Sequence, residues 1–155
     1  QGCDRRYYHD EIGYNMRLEG LQGAVLSVSL KYLPQWTKRR IEIGERYISK
    51  ITNPLITMQA HPANTEPVYH MFVITVPDHE DFVQYMADHE VECNMHYPVP
   101  CHLQEAYKFL GYHVGDCPNA EYLASHCVTL PLFPEMREDE IERVIELCNA
   151  YKGKE

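Results

Sequence analysis

The sequence predicts an α+β chain, an α/β sandwich in which helices flank a small sheet. Three observations carry that expectation. Helical and strand periodicities alternate in the order ααβαβααβα along the 155 residues. The run "VYHMFVITV", Val68 to Val76, is apolar almost throughout and rich in β-branched and aromatic residues, the composition of a central strand. The segments around it repeat their apolar residues at helical spacing and are punctuated by Pro and Gly. The length suffices for one domain, residues 1–155, with a substantial core, and no repeat or low-complexity stretch divides it.

After a polar lead from Arg5 to Glu11, the spacing predicts a first helix over 17–33, where Pro34 ends it or opens the next. The second helix, 35–51, puts Trp36, Ile43, Tyr47 and Ile51 on one stripe and charged residues around the rest. Pro54, Pro62 and Pro67 make 52–67 a loop with at most a short edge strand near 56–59. The central strand follows, expected to be buried on both faces. Asp78 is placed to N-cap a helix in which Phe82, Tyr85, Met86 and His89 share a face. "VECNMHY", 91–97, alternates strictly, so a strand with one polar face is expected there. Short helices over 103–110 and 119–126, a short strand in "CVTLPLFP", and a last helix over 138–151 with Ile141, Val144, Ile145, Cys148 and Tyr151 inward complete the order.

The first helix has an unusual surface. From Gly20 to Leu30 it carries no charged side chain, yet it is too short and too rich in Ser, Gly and Gln to span a membrane. Leu18, Leu21, Val25, Val28 and Tyr32 mark one side, while Leu26, Leu30 and Leu33 mark another. Two apolar faces call for two partners. One reading is a central helix inside a self-contained domain. The other packs one face on this domain and the second on a domain or subunit absent from the chain.

Composition narrows the function classes. Fourteen Lys and Arg stand against 23 Asp and Glu, a formal charge of -9, and basic residues cluster only at Lys38-Arg39-Arg40, which argues against a nucleic-acid surface. Six cysteines without a C-x-x-C pair fit free thiols in a reducing cytoplasm better than a disulfide-bonded secreted domain. No signal peptide, lipidation motif or 18-residue apolar run is present, and the chain starts Gln1-Gly2-Cys3 without Met, so it is expected to be processed or a piece of something longer.

Three blocks resemble one family. "GYNMRLEGLQGAVL" is similar to the G-x-N-x-R signature helix of the DegT/StrS family of pyridoxal-phosphate (PLP)-dependent nucleotide-sugar aminotransferases. "MHYPVPCHLQEAYKFLGY" resembles that family's H-Y-P-x-P-x-H-L-Q block, and "VTLPLFPEMREDEIERV" its closing S-L-P segment, with Thr129 where Ser is usual. The blocks lie in the family's order from Gly13 to Val144. Gly20 and Gly23 depart from the pattern and weaken the helix by up to ~1 kcal/mol each relative to Ala.

The resemblance implies the small C-terminal domain of a fold-type-I aminotransferase, with a small, mostly antiparallel sheet and the helix over 17–33 at the interface to a missing N-terminal large domain. In the family, the lysine that forms the Schiff base lies upstream of the signature helix. The lysines here are 31, 38, 50, 108, 152 and 154, so no catalytic residue is assigned and no turnover is expected from this chain alone. PLP, a homodimer, a nucleotide-sugar substrate and an amino-acid donor, glutamate or glutamine, are implied for the complete enzyme. The lead "YYHDEIGYN" is most similar to members acting on 3-keto-6-deoxy sugars.

By the same likeness, Asn15 matches the asparagine that reaches the phosphate of the neighbouring subunit's cofactor, and an amide suits that role because it donates without adding charge. Arg17 matches the arginine two positions on, set either near that phosphate or as a helix anchor. His96 and Tyr97 match the pair at the substrate mouth, His102 is the second histidine of their block, and His9 lies in the lead that approaches the same site. His96 is equally readable as a structural hydrogen-bonding residue. His96, Cys101 and His102 match no usual zinc spacing, so no metal is assigned. An alternative of another class is a catalytically silent binding or dimerisation module. A small metal-binding protein rests on histidine count alone.

Overall fold

The computed structural model describes residues 11–14 and 16–154. Their contacts gather into two compact units, residues 1–35 and 36–155. The first contains the whole of the segment 17–33 read as an interface helix.

In the first unit, helix α1 runs Gly20–Ser29. It is shorter than the expected 17–33 at both ends, for identifiable reasons. Its start is marked by a reciprocal cap in which the Glu19 N–H donates to Gln22 Oε1 at 3.4 Å. At its far end Pro34 has no N–H to donate to the Leu30 carbonyl, so the helix gives way to a turn closed by Lys31 N–H to Val28 O and Tyr32 N–H to Ser29 O. Ser27 Oγ donates back to the Gly23 carbonyl at 2.7 Å, which satisfies the hydroxyl without a partner outside the helix. No residue of α1 is buried; Leu21 is 78% and Leu30 62% exposed.

Helix α2, Leu33–Lys50, starts with Pro34 in its first turn, where a missing N–H costs nothing, and continues into the second unit. It buries Ile43, Gly44 and Tyr47. Gly44 is demanded by packing: a Cβ there would lie 2.5 Å from Cδ2 of Tyr69. Tyr69 itself sits at φ 47, outside strand geometry. This is why the expected strand over 68–76 contracts to Phe72–Thr75.

The sheet has three antiparallel strands in the order β1-β2-β3, namely Thr57–Met58, Phe72–Thr75 and Cys127–Leu130, with Thr57 opposite Thr75 and Phe72 opposite Leu130. β2 is central as expected, but only Phe72 and Ile74 are buried, while Val73 and Thr75 are half-buried. β3 is buried at every position. Arg40 Nη1 donates to the carbonyls of Tyr69, His70 and Leu132 at 3.0–3.2 Å, pinning the chain before β2 to the chain after β3.

Helix α3, His79–Asp88, is capped as predicted, Asp78 Oδ1 accepting from Asp81 N at 2.9 Å, and it buries Phe82 and Met86. The strand expected over 91–97 is reduced to a single bridge, Asn94 with Thr129. Its alternation is real at Cys93, which is buried between exposed Glu92 and Asn94, but pairing does not extend beyond Asn94, and Pro98 and Pro100 close the segment. The helix expected over 103–110 is instead two 3-10 turns, Cys101–Leu103 and Glu105–Leu110, the second stopped by Gly111 at φ 74. Helix α4, Pro118–His126, passes into β3 with no residue between.

The last helix, α5, Glu138–Ala150, buries Ile141, Val144, Ile145, Leu147 and Cys148. Around it the core joins Ile43, Tyr47, Phe72, Ile74, Phe82 and Met86. Tyr47 Oη donates to the Pro131 carbonyl at 2.8 Å, and buried Asn53 donates to the carbonyls of Cys148 and Tyr151 at 2.8 and 2.7 Å, so these two side chains keep their hydrogen bonds inside the core. Along the rim, Arg39, Arg46 and Lys50 of α2 pair with Glu138 and Glu142 of α5. Among the described residues, no helix is long and apolar enough to cross a membrane.

Candidate functional site

The segment 94–102 is tied repeatedly to one continuous piece of chain, α4 running into β3. Asn94 and Thr129 exchange both backbone bonds, at 3.2 and 2.7 Å. His96 Nδ1 lies 2.8 Å from Thr129 Oγ1. Thr129 thus supplies the hydroxyl that meets the His96 ring. Its β-branch also suits a buried strand position. Nε2 of His96 makes no hydrogen bond among the described residues. Tyr97 stands edge-on to the His96 ring, centroids 5.2 Å apart, and is 70% exposed.

His102 is placed differently. Its side chain is only 8% exposed, and Nε2 lies 3.0 Å from Glu121 Oε1, so the ring is occupied by a protein partner. Tyr112 packs edge-on against it at 6.2 Å. The same carboxylate accepts from the amides of Gly115, at 2.9 and 3.0 Å to its two oxygens, and of Cys117 at 3.2 Å. Burial alone pushes the Glu121 carboxyl up, but the bonds from Gly115, His102 and Cys117 together outweigh it and hold it below the ordinary glutamate value. Glu121 was not singled out by sequence reasoning. Its one signal was an acidic residue in the first turn of a helix opened by Pro118, a position from which a carboxylate reaches back to the orphan amides of the helix start.

Arg17 lies exposed in the irregular chain ahead of α1. Asn15 and His9 fall outside the described residues. Of the six predicted site residues, the structure therefore brings His96, Tyr97 and His102 onto one segment. Other histidines serve local contacts: His126 stacks on Tyr122 at 4.1 Å, His61 meets Tyr69 Oη at 3.3 Å, and His89 Nδ1 contacts the Tyr85 carbonyl at 2.7 Å.

A surface cavity of about 610 Å³ opens on the other elements that flank Thr129, lined by Asn94, Thr129, Phe133, Met136, Arg137 and Arg143 among others. It includes neither His96 nor Tyr97, and no lysine lines it. Lys50, Lys108 and Lys154 are engaged in ion pairs with Glu142, Glu105 and Asp78. The bond to Asp78 holds the Lys154 ammonium above its usual value, the reverse of what an amine nucleophile needs. Among the described residues, no group of three or more His, Cys, Asp or Glu side chains is arranged to hold a metal. The described cysteines are all free thiols; burial pushes Cys93 up to about 12, which makes it an inert packing residue.

Comparison with known proteins places this geometry in context. The sequence matches the DegT/DnrJ/EryC1/StrS aminotransferase family over residues 1–149. It is 37% identical over 150 residues to the dTDP-3-amino-3,6-dideoxy-alpha-D-galactopyranose transaminase of Aneurinibacillus thermoaerophilus, covering 97% of this chain and 41% of that protein. To the dTDP-3-amino-3,4,6-trideoxy-alpha-D-glucose transaminase of Streptomyces venezuelae it is 31% identical over 151 residues, 97% of this chain and 40% of the relative. The crystal structure of S. venezuelae DesV in complex with a ketimine intermediate superposes with a TM-score of 0.89 at 30% identity, over 96% of this chain and 40% of that one. A family aminotransferase from Brucella abortus superposes with a TM-score of 0.86 at 26% identity, over 98% and 40%. The chain spans about 40% of the length of the relatives it matches.

Proposed function

The chain belongs to the DegT/DnrJ/EryC1/StrS aminotransferase family, and from that membership we propose that it is the C-terminal part of a PLP-dependent aminotransferase that converts a keto sugar nucleotide to an amino sugar nucleotide. The observation that carries the reading is the ordered recurrence of the three family blocks, two of which meet in space where His96 joins Thr129. PLP and its lysine belong to the part of the enzyme that these residues do not supply, and this chain alone does not turn over. The complete enzyme works as a cytoplasmic homodimer, takes its amino group from glutamate or glutamine, and covers α1 with its large domain.

In this reading His96 and Tyr97 receive the sugar nucleotide. With Nδ1 held by Thr129, only Nε2 is left to meet a ligand. When the Thr129 hydroxyl donates to Nδ1, the imidazole proton sits on Nε2 and points a donor at a diphosphate or sugar oxygen. Tyr97 adds an exposed ring and hydroxyl beside it. Asn15 and Arg17 act at the cofactor phosphate of the neighbouring subunit, and His9 approaches the same mouth from the lead. His102, the third substrate-binding candidate of this block, is held by Glu121 through Nε2. The two relatives named for dTDP-3-amino sugars support a 3-keto-6-deoxy substrate.

The lack of a lysine at the cavity favours one other reading, a catalytically silent module. Reading the DNA upstream of the Gln1 codon separates the two. An open frame encoding a PLP-binding half with its lysine is expected, followed by amino transfer to a 3-keto sugar nucleotide by the complete protein. In that protein His96→Ala is expected to raise KM for the sugar nucleotide about tenfold or more, the effect of losing one hydrogen bond to a charged group. A start codon with no upstream half, or a complete protein without transaminase activity, contradicts the proposal.

A further inference from the structure

The Glu121 carboxylate closes a loop. At one end it holds His102, at the other the amides of Gly115 and Cys117, so residues 103–114 leave and return at a single side chain. Gly115 takes φ +98 at that return, a backbone state suited to glycine, which turns its N–H onto the carboxylate. The loop has no buried residue of its own to hold it: Tyr107, Phe109, Leu110, Tyr112 and Val114 are all exposed, Phe109 to 80%. Between His102 and Tyr97 lie Cys101, Pro100, Val99 and Pro98, two of whose four φ angles are fixed by proline rings. A displacement at His102 is therefore passed along a stiff stretch to Tyr97. On the other side of Tyr97 the chain is held at Thr129 through His96. Both anchors, Glu121 and Thr129, lie on the unbroken α4–β3 piece, so one continuous stretch of chain carries both.

We propose that Glu121 is a positioning residue for substrate binding: by clasping His102 and the start of α4 it sets the direction in which Tyr97 and His96 meet the sugar nucleotide. The inference rests on the function proposed above and adds a residue that touches neither substrate nor cofactor. The carboxylate suits the task because it accepts four bonds at once, two of them from one amide, and remains ionised under ordinary conditions. An amide in its place offers a single oxygen to the same donors.

The test is Glu121→Gln in the complete enzyme, with Glu121→Ala alongside, each half-reaction measured separately. For Glu121→Gln, KM for the sugar nucleotide is expected to rise at least about fivefold, while kcat and the half-reaction with the amino donor stay within about twofold of wild type. Hydrogen exchange at the amides of Gly115 and Cys117 is expected to speed up in the same variant, whether or not Glu121→Ala folds. Unchanged kinetics in Glu121→Gln would overturn the proposal. So would an equal fall in both half-reactions, which marks general support of the fold. If wild type itself transfers no amino group, the underlying function fails and this inference with it; that result is read before any variant is made.

Discussion

Helices α1 and α5 are close in length and opposite in circumstance. In α5, charged residues alternate with an apolar stripe, and the stripe is buried at Ile141, Val144, Ile145, Leu147 and Cys148. In α1, ten residues carry no charge, and none is buried. The amphipathic helix is covered within the unit 36–155, while the uncharged one, in the unit 1–35, has no buried residue. An isolated helix of this length is marginal in water, and a run of uncovered Leu and Val marks a surface made for association. The contrast supports the proposal that the partner of α1 is the part of the aminotransferase that these residues do not include.

The comparison can be broken most strongly at α5. Ile141→Ala is expected to destabilise the chain by about 2–5 kcal/mol in denaturant unfolding, because the site is wholly enclosed and a cavity remains. Gly44→Ala on α2 is expected to cost about 1–3 kcal/mol by the same measurement, since its Cβ would collide with the Tyr69 ring.

Acid should act on the two helices unequally. Bonds from Arg46 and Arg39 hold Glu138, and bonds from Lys50 and Arg46 hold Glu142, below the usual glutamate value of 4.5. The folded state then binds fewer protons than the unfolded one, so this stabilisation is complete above that value and is lost as pH falls through the depressed values. Hydrogen exchange through this window should loosen the α2–α5 rim and leave α1, which has no titratable side chain, unaffected. The opposite sign holds for the buried thiols. Burial raises Cys93 and Cys148 from 9.0 to about 12, so stability is full below 9.0 and falls as pH rises toward 12. The smallest effect is expected on α1: Leu21→Ser should change the unfolding free energy of this chain by no more than about 0.5 kcal/mol, since the side chain is already in water.

What was legible in the sequence follows the same division. The amphipathic helices, the Asp78 cap and the central position of β2 were readable because each rests on local rules: spacing, a capping side chain, a β-branched run. The strand over 91–97 was misread because its alternation is genuine at Cys93, while Asn94 alone pairs with a neighbouring strand and alternation does not reveal whether a partner lies alongside. The helix over 103–110 became two 3-10 turns, the second ended by Gly111 in the left-handed region, and the carboxylate that ties the flanking His102 to Gly115 lies on α4, out of reach of local spacing rules. His96 and Tyr97 could be named from their motif, but their anchors could not, because Thr129 and Glu121 stand 33 residues from His96 and 19 from His102.

The account turns on where the cover of α1 is encoded, and amide hydrogen exchange over residues 20–29 reads it directly, in this chain alone and in the complete enzyme. The account predicts rapid exchange in the chain by itself as a monomer and strong protection in the complete protein. Protection of α1 in the monomeric chain equal to that in the complete protein would contradict it.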